Sequence, residues 1–319
     1  MKSFEWTNAS SIDEAQSLHE KGSCIKAGGI DLLDLMKEHL IEPTRLVNIR
    51  NIKGLDKIEE KDGGLVIGPL ATLAQIADHP VVKAKFTALA EACGHAATPQ
   101  IRNMATIGGN LLQRPRCWYF RSESFHCRKK GGEICYAQAG ENQYHAIFNN
   151  KLCAIVHPSS AACALVALGA TIMVKGEKQP QEVKLEDFFI LPSDDLHREN
   201  KIADGELITE IRIAAPKGKS FYIKQGEKES FDWPIAEVAA VIEKDGETIK
   251  SASIVLGAAA PIPHRAKETE EALIGKKFDD ATLMEAAKAA MKKATPLEMN
   301  QYKLDLFPVV IARTIQACA

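Results

Sequence analysis

Apolar and polar residues alternate in short, regular blocks over most of the chain, and the period of each block predicts its secondary structure. Blocks with a period near 3.6 begin after Ser11 and Thr72, two residues that favour helix starts, and others cover residues 31–37, 86–97 and 160–168. Short apolar runs predict strands at residues 23–27, 46–49, 64–68, 171–174 and 207–213. The acidic run at residues 59–62 predicts a solvent-exposed turn.

A change of pattern near residue 215 predicts a separate C-terminal unit. Residues 214–219 (AAPKGK) are typical of a linker. Three strand patterns follow at residues 221–224, 236–243 and 249–257, and three amphipathic helical patterns follow at residues 267–274, 281–294 and 304–317. Strands followed by helices indicate a compact α+β domain.

One long segment, from about residue 113 to residue 153, fits neither period. It holds four of the eight cysteines in the spacing C-x9-C-x7-C-x17-C, namely Cys117, Cys127, Cys135 and Cys153. A loop this long inside a compact domain is usually functional, disordered or held by a bound group. The spacing leaves three alternatives open: an iron–sulfur cluster, a zinc ion, or a loop without metal. The basic residues that we expect to offset the negative charge of a thiolate-bound cluster are Arg114, Arg116, Arg121, Arg128, Lys129, Lys130 and Lys151.

Charge and hydropathy argue against two classes of partner. The chain has 40 Lys and Arg against 42 Asp and Glu, so no basic excess indicates nucleic-acid binding. No apolar run approaches the roughly 18 residues that a membrane helix needs, and the N-terminus has no secretory signal pattern. We therefore expect no nucleic acid and no membrane insertion. The expected location is cytoplasmic, or exported with a partner that carries the signal.

Two glycine turns are candidates for binding a phosphate group. Residues 25–32 (IKAGGIDL) place a glycine pair between a strand and a helix start, and residues 105–110 (ATIGGN) contain a second pair. Glycine lets backbone N–H groups approach an anion, and a helix N-terminus favours negative charge. Neither turn matches the Rossmann or P-loop pattern, and either alone could be a simple tight turn. Two such turns in one candidate domain indicate a shared diphosphate.

The pair AGGIDLL and ATIGGNL resembles the FAD-binding subunits of the molybdenum hydroxylases. Members of this family include the medium subunit of carbon monoxide dehydrogenase, the flavin domain of xanthine dehydrogenase and the β subunit of 4-hydroxybenzoyl-CoA reductase. Later segments resemble the family's landmarks in the same order: EDFF at 186–189, GELITEI at 205–211 and GAAAPIPHRA at 257–266. Ile30 stands where the family usually has threonine, which removes a side-chain hydroxyl but no backbone contact.

This resemblance implies an α+β protein with a p-cresol methylhydroxylase-type FAD-binding fold. Its two FAD-binding subdomains would cover residues 1–55 and 56–215, with the cysteine-rich insertion at 113–153 in the second. A C-terminal α+β domain of a three-stranded sheet and helices would cover residues 216–319. The residues implied around FAD are Lys26, Ala27, Gly28, Gly29, Ile30, Asp31 and Leu32 on one side of the diphosphate, Thr106, Gly108, Gly109 and Asn110 on the other, Ile155 near the adenine, and Leu191 and Lys224 near the isoalloxazine.

The insertion is similar to one in the 4-hydroxybenzoyl-CoA reductase β subunit and in bacterial aldehyde oxidoreductase flavin subunits. That similarity implies a [4Fe–4S] cluster with Cys117, Cys127, Cys135 and Cys153 as its ligands.

The implied function is electron transfer within a larger complex. A molybdopterin-binding large subunit would oxidise the substrate, and a small subunit with two [2Fe–2S] clusters would pass electrons to FAD. NAD or another molecule would be the acceptor, or the donor in a reductase, and the assembly would be a dimer of heterotrimers. No catalytic residue is predicted in this chain. The alternatives are a self-sufficient flavin oxidase or reductase of the same fold, and a zinc-stabilised non-catalytic binding module.

Overall fold

The computed structural model describes residues 1–176, 179–229 and 231–319, and its strands form three sheets in chain order. The first sheet is parallel, in the order β1-β3-β2, and helices connect its strands. Its elements are β1 (Glu5–Asn8), α1 (Ile12–Leu18), β2 (Ser23–Lys26), α2 (Ile30–Lys37) and β3 (Arg45–Asn48). Ser11 caps α1 as predicted, because its side chain accepts a hydrogen bond from the Glu14 N–H.

The second sheet is antiparallel, in the order β4-β5-β8-β6-β7. Its strands are β4 (Ile58–Lys61), β5 (Gly64–Ile67), β6 (Thr171–Lys175), β7 (Gln181–Lys184) and β8 (Leu207–Ile213). The helices between β5 and β6 are α3 (Leu73–Asp78), α4 (Pro80–Lys85), α5 (Thr87–Gly94), α6 (Pro99–Met104), α7 (Ile107–Leu111), α8 (Trp118–Arg121) and α9 (Ser160–Ala167). Thr72 and Gln75 form a capping box at the start of α3, as the Thr72 cap predicted.

The prediction of a turn at residues 59–62 is wrong. Ile58–Lys61 is a strand that pairs with β5, and the turn itself lies at Asp62 and Gly63, where φ is 51° and 74°. Strand β4 is at the edge of its sheet. Charged side chains are common on edge strands, because they discourage pairing with another chain, so an acidic run there is compatible with β structure.

The third sheet and its helices make up the C-terminal part. The three predicted strands are present as β9 (Lys219–Gln225), β10 (Ala236–Asp245) and β11 (Thr248–Gly257), and a two-residue strand, β12 (His264–Arg265), adds a fourth beside β11. The helices are α10 (Lys267–Leu273), α11 (Asp280–Ala289) and α12 (Lys303–Gln316). The predicted helix at residues 281–294 ends early, because its last turn is a 3₁₀ helix at Ala290–Lys293.

Helix α9 joins the second and third sheets. All eight of its residues are buried, and Cys163 donates its thiol hydrogen to the Val255 carbonyl of β11 at 3.2 Å. Tyr222, Ala239 and Val255 of the third sheet share one apolar core with the helices and strands of the second. In the described ranges, no helix combines the length and the apolar character needed to cross a membrane.

Candidate cofactor site

Both predicted glycine turns line one cavity of about 450 Å³. The first turn follows β2, at the carboxyl end of a parallel strand, and the second leads from α6 into α7. The predicted residues on the wall are Ala27, Gly28, Gly29, Ile30, Asp31, Leu32, Thr106, Gly108, Gly109, Asn110 and Lys224. Segments about 80 residues apart in sequence therefore share one binding space.

The two turns also touch each other directly. A Cβ atom added to Gly28 would lie 2.2 Å from the Met104 carbonyl oxygen and 3.4 Å from the Thr106 nitrogen. No side chain fits that gap, so glycine is required for this close approach of two backbones. Gly29 has φ of 83°, a left-handed conformation that side chains disfavour.

The start of α2 offers hydrogen-bond donors to an anion. Its N-cap residue, Gly29, has no side chain to accept from the first turn. In the described ranges, no protein acceptor meets the N–H groups of Ile30, Asp31 or Leu32. Helix α7 differs, because the Thr106 hydroxyl already accepts from the Gly109 N–H at 3.3 Å. Uncapped N–H groups beside an apolar cavity fit a dinucleotide diphosphate.

Three residues predicted around FAD lie outside this cavity. The ammonium nitrogen of Lys26 lies over the Trp6 ring, 5.2 Å from its centroid. Ile155 lines a second, smaller cavity, and Leu191 lies in a loop where its carbonyl accepts from the Asp194 N–H at 2.9 Å. The flavin contacts of these three side chains remain predictions.

Lys224 is on the cavity wall, on β9. Its ammonium group donates to the His95 carbonyl at 3.0 Å, and partial burial lowers its pKa. Lys224 is therefore held between the strand and the segment that follows α5.

Sequence reasoning missed several wall residues. Phe231 and Trp233 are more than half exposed at the cavity, and Ala97 adopts a positive φ of 46°. Two aromatic side chains in a polar connection between strands were a usable sign of a binding loop. Nothing in the sequence indicated Ala97, because its position depends on how α5 and α6 pack.

The four cysteines of the insertion line one small cavity of about 10 Å³, together with His145 and Lys129. The Nε2 atom of His145 lies 3.3 Å from the Cys117 sulfur. Burial raises the pKa of Cys117 to about 11, whereas a hydrogen bond from the Cys153 thiol lowers the pKa of Cys135 to about 6 and raises that of Cys153. Over the described residues, no three His, Cys, Asp or Glu side chains form a group that could hold a metal ion.

We expected the basic side chains of the insertion to offset the negative charge of a cluster. Four of them also form ion pairs with acidic residues outside the insertion. Arg114 bonds Glu199 at 2.9 Å, and the buried Lys129 bonds the same carboxylate at 2.6 Å. Arg116 and Arg121 pair with Asp31 and Asp34 of α2, and these pairs join the insertion to the glycine turn.

A buried carboxyl group lies just behind the wall. Glu237 of β10 is 1% exposed and accepts hydrogen bonds from the Tyr222 hydroxyl and from the hydroxyl of Ser160, a wall residue, the latter at 2.7 Å. Burial raises the pKa of Glu237. Gly257 has no room for a Cβ atom, which would lie 2.0 Å from a Glu237 oxygen.

Comparison with known proteins gives consistent matches over the whole chain. Residues 2–216 match the model for the FAD binding domain in molybdopterin dehydrogenase, and residues 221–318 match that for the CO dehydrogenase flavoprotein C-terminal domain. The aldehyde oxidoreductase FAD-binding subunit PaoB of Escherichia coli K12 is 33% identical, covering 99% of this chain and 98% of that protein.

Solved structures show the same fold. The carbon monoxide dehydrogenase of Hydrogenophaga pseudoflava has a chain that superimposes with a TM-score of 0.77 at 26% identity, covering 99% of this chain and 97% of that one. For quinoline 2-oxidoreductase of Pseudomonas putida 86 the TM-score is 0.78 at 22% identity, covering 100% and 98%. The expected α+β flavin-binding fold is confirmed.

Proposed function

This chain belongs to the FAD-binding subunits of the molybdenum hydroxylase family, and we propose that it relays electrons between FAD and iron–sulfur clusters within its complex. As a flavoprotein subunit of this type it is part of an oxidoreductase, so the non-catalytic binding module is not favoured. The observation that carries the proposal is the single cavity formed by two glycine turns in direct contact.

FAD would supply the exchange of one or two electrons when bound, and this chain would orient it and shield it from water. The N–H groups at the start of α2 would donate to the diphosphate, with the second glycine turn closing its other side. Lys224 would place a positive charge near the isoalloxazine, where it favours a negatively charged reduced ring. Residues 1–55 and 56–215 would be the two FAD-binding subdomains, and residues 216–319 the C-terminal domain.

The FAD proposal is tested on the full chain purified with the subunits that accompany it. We expect a yellow protein that releases about one FAD per chain on denaturation, identified by chromatography and flavin fluorescence. A preparation that stays colourless and takes up no FAD on incubation would overturn the proposal.

We propose further that Cys117, Cys127, Cys135 and Cys153 hold a [4Fe–4S] cluster. The support is chemical: four thiols from separate parts of the insertion line one cavity. Zinc is the alternative occupant, because it takes the same four thiolates, and metal analysis separates the two. The space between the thiols is only about 10 Å³, so the side chains would have to move apart as a cluster assembles.

Iron and acid-labile sulfide analysis of anaerobically purified protein tests the cluster. Changing each of the four cysteines to serine in turn should remove iron, whereas Cys24→Ser, outside the insertion, should not. Stoichiometric zinc in place of iron, or iron unchanged in all four variants, would exclude the cluster.

The proposed partners are a molybdopterin-binding large subunit and a small subunit with [2Fe–2S] clusters, arranged as a dimer of heterotrimers, with NAD or another acceptor or donor. A self-sufficient flavin oxidase or reductase is the alternative, and it would need its own acid–base group at the flavin. Asp31 is one acid on the wall, but it is already paired with arginines. Molybdenum and two further subunits co-purifying with the chain would support the complex, whereas an active single chain would support the alternative.

A further inference from the structure

Asp31 places a carboxylate beside the turn that we propose holds the FAD diphosphate. It is the second residue of α2, it lines the cavity, and its side chain is 15% exposed. A carboxylate left unneutralised so near a diphosphate would repel it, and poor exposure to water would strengthen that repulsion. Lys26 does not neutralise Asp31, because its ammonium group lies over Trp6 and 3.4 Å from the Asn48 amide oxygen.

The groups that neutralise Asp31 come from the cysteine-rich insertion. The Arg121 Nη2 atom lies 2.7 Å from Asp31 Oδ1, and the Arg116 Nη2 atom lies 2.9 Å from the same oxygen. The backbone N–H of Arg114 donates to Asp31 Oδ2 at 2.8 Å. Arg121 also donates to Asp34, one turn further along α2, at 2.9 Å.

Several hydrogen bonds hold Arg121 in place beside the helix start. Its guanidinium donates to the Pro115 and Arg114 carbonyls at 2.8 and 2.9 Å, and its backbone N–H bonds the Cys117 carbonyl at 2.9 Å. The side chain is 12% exposed, so water screens its ion pairs little. Arg121 does not itself line the cavity, and so it acts through Asp31.

We propose that the cysteine-rich insertion completes the FAD diphosphate site, with Arg121 as the positioning residue that, together with Arg116, neutralises Asp31 and fixes the start of α2. The inference rests on the proposed FAD site. It makes FAD affinity depend on the segment whose cysteines we propose as ligands of a second cofactor.

The test measures FAD affinity of the full chain after FAD is removed and added back, followed by flavin fluorescence. Arg121→Gln should weaken binding about tenfold, because Asp31 loses its nearer and less exposed guanidinium partner and only Arg116 is left to offset its charge. Adding Asp31→Asn to that variant should restore affinity toward the wild-type value. Arg121→Lys, which keeps the charge, should bind FAD more tightly than Arg121→Gln.

Arg45→Gln is the matched control. Arg45 also bridges two carboxylates, at 2.8 Å from Glu5 and 2.9 Å from Glu20, but it lies away from the cavity, so FAD affinity should not change. The inference is overturned if Arg121→Gln binds FAD like the wild type, or if Asp31→Asn does not relieve its loss. If Arg121→Gln does not fold, Asp31→Asn alone decides: the inference expects unchanged or tighter binding, and weaker binding overturns it. A wild-type chain that binds no FAD would instead overturn the proposed function.

Discussion

Only glycine fits at position 28, because the backbone of a distant segment lies too close for a side chain. An alanine Cβ would lie 2.2 Å from the Met104 oxygen, so Gly28→Ala must push the two glycine turns apart. We expect a loss of about 1–3 kcal/mol in the free energy of unfolding, as for overpacked sites. FAD affinity should also fall, since the turns would no longer close on one ligand. Urea unfolding and FAD rebinding measure the two effects.

Gly94→Ala is the control for that substitution. Gly94 ends α5, and an added Cβ would have an ordinary contact of 3.7 Å with the Ala77 Cβ. Alanine should be neutral or stabilising there by up to about 1 kcal/mol, because it restricts the unfolded chain more than glycine does. Equal behaviour of the two variants would show that the contact between the turns does not limit stability.

His145 is a second residue whose effect can be isolated, provided that the cluster is present. Its Nε2 atom lies 3.3 Å from the Cys117 sulfur, and its ring contacts Trp118 edge-on. An N–H group that donates to a ligand sulfur stabilises the more negative, reduced cluster. His145→Phe keeps an aromatic ring but removes the donor, so the midpoint potential of the cluster should fall. A redox titration followed by electron paramagnetic resonance measures it, and the exposed His126→Phe serves as control. An unchanged midpoint would contradict this role.

Within β10, two glutamates should respond to pH in opposite directions. Burial raises the pKa of Glu237 above its unfolded value of 4.5, so the folded chain keeps a proton that the unfolded chain loses. Its contribution to stability therefore falls as pH rises from about 4.5 through the raised pKa. Glu237→Gln should gain stability relative to the wild type over that range, as measured by urea unfolding at a series of pH values.

Glu243 provides the matched comparison on the same strand. Hydrogen bonds from Lys250 and Ser251 lower its pKa, so its contribution is present above the unfolded value and is lost as pH falls. Glu243→Gln should therefore lose stability relative to the wild type as pH rises, and only slightly, because its partner Lys250 is exposed to water. The same trend in both variants would refute the assignment to Glu237.

The strands that sequence reasoning missed share a position in the fold. The four strands it did not predict, β1, β4, β7 and β12, all lie at sheet edges. The first, β1, buries none of its four residues fully, so its pattern shows no apolar alternation. Central strands behave differently: β8 pairs on both sides, and its bounds, Leu207–Ile213, match the prediction.

The site residues also divide into those that a local sequence pattern predicts and those that it does not. Local glycine patterns predicted both turns of the cavity, because those turns depend on backbone conformation within a few residues. Arg121, Ala97 and Trp233 owe their positions to contacts between distant segments, which a single sequence does not display.

On the scale of the whole molecule, the insertion is tied at two ends to different parts of the chain. Arg116 and Arg121 join its start to helix α2, and Asn300 and Lys303 join its end to the start of α12 and the loop before it. The insertion therefore connects the first and last parts of the chain, and its anchors should contribute to the stability of the whole protein.

Asn300 allows that anchoring to be measured. It is fully buried, its amide donates to the His145 carbonyl at 3.0 Å and the Ala146 carbonyl at 3.3 Å, and its oxygen accepts from the Leu297 N–H at 2.7 Å. Asn300→Ala leaves the Leu297 N–H without its acceptor and removes one of the two donors to each carbonyl, since Lys303 still donates to the His145 carbonyl and Asn150 to the Ala146 carbonyl. The free energy of unfolding should therefore drop by about 1–3 kcal/mol. The exposed neighbour Gln301 is the control, and Gln301→Ala should stay within about 0.5 kcal/mol of the wild type. Urea unfolding is followed by tryptophan fluorescence, to which Trp118 inside the insertion contributes. If Asn300→Ala unfolds like the wild type, Asn300 does not anchor the insertion, and Lys303 with the other contacts to the C-terminal part must do so.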